Sequence, residues 1–241
     1  MGFEDRDYAR PSRGRSTYSG PSVAASMKMW SITTWLIAIN VAAFVVNMLT
    51  EGAIDNFGVF TIDAAIHHLQ LWRFITFQFL HAGITHLIFN MIGLYFFGPM
   101  IESYLGSRRY LAFYLLCGIS GALLFVIMWA ASMMQGPDVV LIGASAGVFG
   151  ILVAGAVIAP NTTVMLLFPP IPMRLKTLAL VLLGIEVLSL LEYGPFIGGQ
   201  LGHLGGAAVG FLLIKQPHLL DIFDRPFTRR KKKRFFMDDW R

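Results

Sequence analysis

The sequence predicts an all-α polytopic membrane protein, a bundle of six spanning helices. Three observations carry that prediction. Hydrophobic residues make up 56% of the 241 and charged ones only 14%, a balance far from that of water-soluble domains. The apolar residues fall in six long blocks. The basic residues gather at block ends that an even number of crossings brings to one side of a bilayer.

Crossing the hydrocarbon takes about 20 residues of helix, and six stretches meet that need: Trp30–Leu49, Thr85–Tyr104, Tyr110–Met134, Ala144–Ala159, Leu175–Leu191 and Gly199–Ile214. The fourth is short, bounded by Asp138 before it and Pro160-Asn161 after it, so its first residues need not reach the membrane surface. This divides the chain into a polar N-terminal tail over 1–29, a membrane domain over 30–215 and a basic C-terminal tail over 216–241. The N-terminal tail has Ser, Gly and Pro among its arginines and no hydrophobic periodicity, which predicts disorder. Its Glu4, Asp5 and Asp7 argue against a transit peptide. The loop from Thr50 to Ile84 is long, and its half-span run Leu71–Leu80, aromatic with one arginine, reads as interfacial or re-entrant. Lone Cys117 excludes an intramolecular disulfide.

Five basic residues lie in the N-terminal tail, two are Arg108 and Arg109, two are Arg174 and Lys176, and nine lie in 215–241. With six crossings these eighteen of nineteen share one face, so both tails are expected in the cytoplasm, with Arg73 alone opposite. The run Arg229-Arg230-Lys231-Lys232-Lys233-Arg234 then reads first as a topology anchor, with binding of acidic lipid headgroups the second reading and a nucleic-acid site a weaker third. No fixed-period repeat supports a transporter built from inverted halves.

Topology also sets depth. The even-numbered spans run inward from the outer face, so His86 on the second, Ser145 on the fourth and His203 on the sixth fall in one layer near that face. Asn90 shares the helical face of His86, four residues on. Polar groups at such depth are costly unless they face the bundle interior. Close approach of the fourth and sixth spans is favoured by small residues: Gly202, Gly206 and Gly210 at four-residue spacing on one, Ala146, Gly150 and Ala154 with flanking Gly143 and Gly147 on the other.

A hydroxyl and an imidazole brought together in an apolar layer suit acyl transfer. Ser145 is the expected nucleophile and His203 the base that takes its proton and returns it to the leaving amine. The expected oxyanion donors are the Ser145 backbone N–H and the side chains of His86 and Asn90. No acidic residue is evidently placed to orient His203, so a dyad is expected. Glu186 in the fifth span is the nearest rival, read as a carboxyl bonded within the bundle or facing a wet cavity. Gly143–Gly147 also matches the G-x-S-x-G elbow of soluble hydrolases, but both flanks are lipid-soluble and no alternating strands occur, so that match is accidental.

From Trp72 to Ile214 the residues resemble the rhomboid intramembrane serine proteases. Trp72-Arg73 resembles the family's pair in the long first loop, and His81-Ala82-Gly83 through His86-Leu87-Ile88-Phe89-Asn90 its second-helix motif. Gly143-Ala144-Ser145 is similar to its Gly-x-Ser motif, and Gly202-His203-Leu204-Gly205-Gly206-Ala207-Ala208-Val209-Gly210 to its sixth helix. The resemblance implies an outward-open cavity holding a Ser145–His203 dyad, with His86 and Asn90 near the oxyanion. It implies single-pass membrane proteins as substrates, cut near the outer boundary after lateral entry past the fifth helix and the loop after Leu191. It implies neither metal nor cofactor, and the six-span form is similar to bacterial members, which would place the chain in a bacterial inner membrane. Two positions depart from the pattern. Ala146 stands where many members have glycine, and Phe149 where many have tyrosine, keeping a ring to stack on His203 but losing the hydroxyl.

Overall fold

The computed structural model describes residues 30–131, 139–166, 170–193 and 198–224. Six helices of 14 to 24 residues follow the six apolar blocks: α1 Ile32–Leu49, α2 Ile84–Leu105, α3 Ser107–Ala130, α4 Ser145–Ile158, α5 Leu175–Tyr193 and α6 Gly198–Lys215. The third is described to Ala130, and its expected end at Met134 lies outside the described residues. Both tails, including the Arg229–Arg234 run, lie outside the described residues. α1, α2 and α3 are long and apolar enough to cross a membrane, and α4 is apolar but shorter. The chain is an all-α polytopic membrane protein.

Helix starts and stops follow local chemistry. Ser31 caps α1 by accepting from the Thr34 amide. The remaining amides of that first turn are met from 70 residues away: buried Glu102 on α2 accepts from the amides of Ile32 (2.8 Å) and Thr33 (3.0 Å) and from the Thr33 hydroxyl (2.8 Å). Ser107 donates to the same carboxylate. Gly106, with φ +83°, makes the reversal between α2 and α3 in one residue, a conformation open to glycine at little cost.

α6 lies against both α3 and α4, and glycine sets the distance. A Cβ at Gly210 would lie 2.5 Å from Gly150 Cα, and one at Gly206 would overlap the Ala146 carbonyl, so α4 and α6 touch backbone to backbone. On the other side, a Cβ at Gly205 would lie 2.8 Å from Gly121 Cα of α3. Gly202 differs from the expected ridge, since a Cβ there would meet only Leu141 at an ordinary 3.7 Å. Buried Leu94, Ile101, Tyr110, Phe113, Tyr114 and Ile151 fill the space where α2, α3 and α4 meet.

The long first loop is folded. It forms short helices over Ala53–Gly58 and Arg73–Thr76, a helical turn over Asp63–His67 and a tight turn over Phe77–Phe79. Phe60, Phe77, Phe125 of α3, Leu141 and Leu201 of α6 share one buried cluster. Arg73, expected at a headgroup boundary, is buried. Its guanidinium donates to Val59 O (2.5 Å), Asn56 O (2.7 Å) and Gln70 Oε1 (2.6 Å), so it organises the loop's own carbonyls. Trp72 stacks on Phe57 and donates its indole N–H to that residue's carbonyl.

A two-stranded antiparallel ribbon, β1 Thr163–Met165 and β2 Pro172–Arg174, joins α4 to α5 with Thr163 opposite Arg174. Three residues per strand are too few to display alternation, so the sequence did not announce it. In α5, Leu175, Leu178 and Ala179 are buried, whereas no residue from Leu180 to Glu192 is.

Candidate active site

Ser145 is the first residue of α4, and the backbone before it is held by the folded loop. Phe60 and Leu141 exchange both amide–carbonyl bonds (3.1 and 2.9 Å), and Gly143 N–H donates to Phe77 O at 2.9 Å. Gly143 then turns with φ +126°, and Ala144 enters the helix without offering a capping side chain. The opening amides of a helix have no carbonyl partner within it. Those of Ser145, Ala146 and Gly147 therefore point outward together, beside the hydroxyl.

α2 brings His86 to the same place. A Cβ on Gly143 would lie 2.7 Å from His86 Nε2 and 3.6 Å from Ser145 Oγ, so imidazole and hydroxyl flank one point. Gly143 is therefore required twice, for its φ and for the room His86 occupies. Asn90, buried one turn on, donates its side-chain amide to His86 O at 3.1 Å and steadies that turn. Behind them the buried ring of His81 meets His86 edge-on at 5.1 Å. Burial, and secondarily the neighbouring His86, hold the His81 imidazole down to about 4. Both its ring nitrogens are buried without a hydrogen-bond partner.

α6 contributes His203, whose imidazole lies flat on the ring of Phe149, one turn into α4, with centroids 4.4 Å apart and planes 8° apart. The stacking expected of Phe149 is thus present. Ser145, His86, His203 and Glu186 are each half-buried in the chain. Ser145 and His203 stand on abutting helices, but no hydrogen bond joins them among the described residues.

One expectation is corrected. An acid does stand beside His203: Glu186 Oε1 lies 3.0 Å from His203 Nδ1. The approach lies off the ring N–H direction, giving ion-pair proximity without hydrogen-bond alignment, and Nδ1 has no other partner. A 3.6-residue period does not by itself say which way Glu186 faces in a helix apolar all round. A usable signal was depth, since Glu186 stands seven residues before the end of α5 and His203 five after the start of α6.

A half-buried serine at a helix start, uncapped amides beside it, and two histidines delivered by separate helices form one assembly inside an apolar bundle. A family model described as Rhomboid domain matches residues 68–216. RHOMBOID-like protein 12, mitochondrial, of Arabidopsis thaliana is 34% identical over 152 residues, 58% of this chain and 44% of its own. Rhomboid-like protease 3 of Toxoplasma gondii is 31% identical over 152 residues, covering 62% of this chain and 53% of its own. YdcA of Bacillus subtilis is 38% identical over 82 residues, 34% of this chain and 38% of its own. The chain spans about half the length of the curated relatives it matches. With the family model matching residues 68–216, from the middle of the first loop through α6, more than half of the chain, this chain belongs to the rhomboid family.

Proposed function

We propose that this chain is an intramembrane serine endopeptidase that cuts transmembrane segments of single-pass membrane proteins with a Ser145–His203 pair. The observation that carries the reading is the imidazole of His203 held flat on Phe149, one turn from a serine that opens its helix beside uncapped amides. In the reaction Ser145 Oγ attacks the scissile carbonyl while its proton passes to His203. The tetrahedral oxyanion takes bonds from the Ser145 amide and the side chains of His86 and Asn90. His203 then protonates the leaving amine, and water admitted to the half-buried layer releases the acyl group by the same steps in reverse order.

The same reading assigns a setting. Both tails lie on the cytoplasmic side in this reading, supported by the eighteen basic residues that six crossings would bring to one face. A bacterial cell membrane is the proposed location, in keeping with the six-span reading; the relatives themselves come from Bacillus subtilis, a plant and Toxoplasma gondii. Substrates enter past α5, which is buried only at its Leu175–Ala179 end. Acidic lipids meet the basic tail.

The test is labelling of the full chain in detergent with a fluorophosphonate probe, paired with cleavage of a single-pass substrate in proteoliposomes. Wild type is expected to label and cleave, with both lost in Ser145→Ala and in His203→Ala. Cleavage that persists in Ser145→Ala would overturn the proposal.

A further inference from the structure

The Ser145–His203 chemistry makes no use of Glu186, and yet its carboxylate stands at the second nitrogen of the histidine. We propose that Glu186 is a positioning residue for His203, holding the Nδ1 edge of the imidazole so that Nε2 is presented to Ser145. The inference rests on the Ser145–His203 reading above and adds a third member to it.

Three observations support it. First, the Glu186 side chain is only 14% exposed, and its Oε2 is buried with no hydrogen-bond partner. A carboxylate among apolar residues at membrane depth is costly and is kept where it meets a partner. Among the described residues the one ion-pair partner it has is His203. Second, the stack on Phe149 fixes the plane of the imidazole but not its sense, because a ring flip exchanges Nδ1 with Cδ2 and leaves the stack unchanged. An anion at the edge of the ring breaks that symmetry and selects the tautomer with the proton on Nδ1. Third, the present approach is close but poorly aligned, the state in which catalytic hydrogen bonds are commonly found before substrate arrives. α5 is buried only near its start, so its second half has room to bring the carboxylate into line.

The proton balance is simple. Nε2 accepts the Ser145 proton, the positive imidazolium forms with its Nδ1–H directed at Glu186, and the same proton leaves from Nε2 to the amine. No proton passes to Glu186 in either step. The titratable groups on neighbouring helices are His86 of α2, within electrostatic reach of His203, and Tyr114 and Cys117 of α3, which face Gly147 and Gly150 of α4. None of these forms an ion pair with Nδ1 among the described residues.

The experiment compares Glu186→Gln, Glu186→Asp and Leu190→Ala in the purified full chain. It reads the fluorophosphonate labelling rate of Ser145, kcat and KM for a transmembrane peptide, and the thermal midpoint. Leu190→Ala loosens α5, since Leu190 packs on the Phe60 cluster, but keeps the carboxylate. Glu186→Gln is expected to slow labelling and kcat together by about 10- to 100-fold, below the ~10⁴ lost when a fully aligned triad acid is neutralised. KM and the midpoint stay at wild-type values, Glu186→Asp recovers most of the rate, and Leu190→Ala labels normally. Wild-type labelling in Glu186→Gln would overturn the inference, as would an Asp variant as slow as Gln, or a loss in KM alone. Failure of wild type itself to label would instead remove the Ser145–His203 reading on which it stands.

Discussion

His203 of α6 and Phe149 of α4 lie in parallel, 4.4 Å apart at 8°. The contact holds the general base to the helix that carries the nucleophile. Aromatic stacking contributes roughly 0.5–1.5 kcal/mol beyond burial. Phe149→Leu is therefore expected to slow fluorophosphonate labelling by about 2- to 10-fold, and Phe149→Tyr to keep it, since the face is unchanged. Equal rates in Leu and wild-type proteins would show that the stack does not set the base.

Gly206 and Gly202 are four residues apart on α6 but differ in what they face. Gly206→Ala drives a methyl into the Ala146 carbonyl and is expected to destabilise by about 1–3 kcal/mol, with labelling reduced as Ser145 and His203 separate. Gly202→Ala meets only Leu141 at 3.7 Å and is expected to leave the thermal midpoint unchanged or slightly raised. Thermal unfolding in detergent distinguishes them, and equal losses would contradict the packing described.

Arg73 joins three acceptors from one loop. Lysine lacks the planar fork that reaches them together. Hydrogen bonds from a charged donor contribute about 1.5–3 kcal/mol each. Arg73→Lys should thus cost on the order of 3 kcal/mol and open the loop between residues 50 and 72 to protease before the helices unfold. Time-resolved limited proteolysis is the measurement, and a loop that stays as resistant as in wild type would speak against this role.

His81 gives the protein an acid-sensitive point. Its imidazole is held down to about 4 in the folded state against an ordinary 6.5. Protons therefore bind the unfolded chain first as pH falls below 6.5. The His81 contribution is complete above that value and is lost progressively toward pH 4, with no further loss below. His81→Asn, which cannot titrate, should flatten that part of the thermal midpoint against pH; an unchanged slope would place the acid sensitivity elsewhere.

The six apolar blocks and the shared depth of His86, Ser145 and His203 were legible because hydrophobic length and helix direction are linear properties of a chain. Facing was not. Glu186 is one polar residue in a helix apolar all round, and the turn that aims it at His203 is set by how α5 meets α6, which no periodicity records. Arg73 misled for a related reason, because an arginine among aromatics has the same composition at a headgroup boundary as inside a loop that needs its carbonyls tied. Gly205 was read in the motif without its partner, since contact with Gly121 depends on two helices choosing each other.

The Glu102 carboxylate that caps α1 belongs to α2, some 70 residues downstream. During synthesis the first helix therefore emerges before the carboxylate that will meet its two opening amides, which are left to water. A bilayer interior offers them no water. α1 must keep its start in the aqueous boundary until the second helix has been made and has turned its far end back toward it. A chain halted before residue 102 would hold its first helix without the carboxylate that fastens its start to α2.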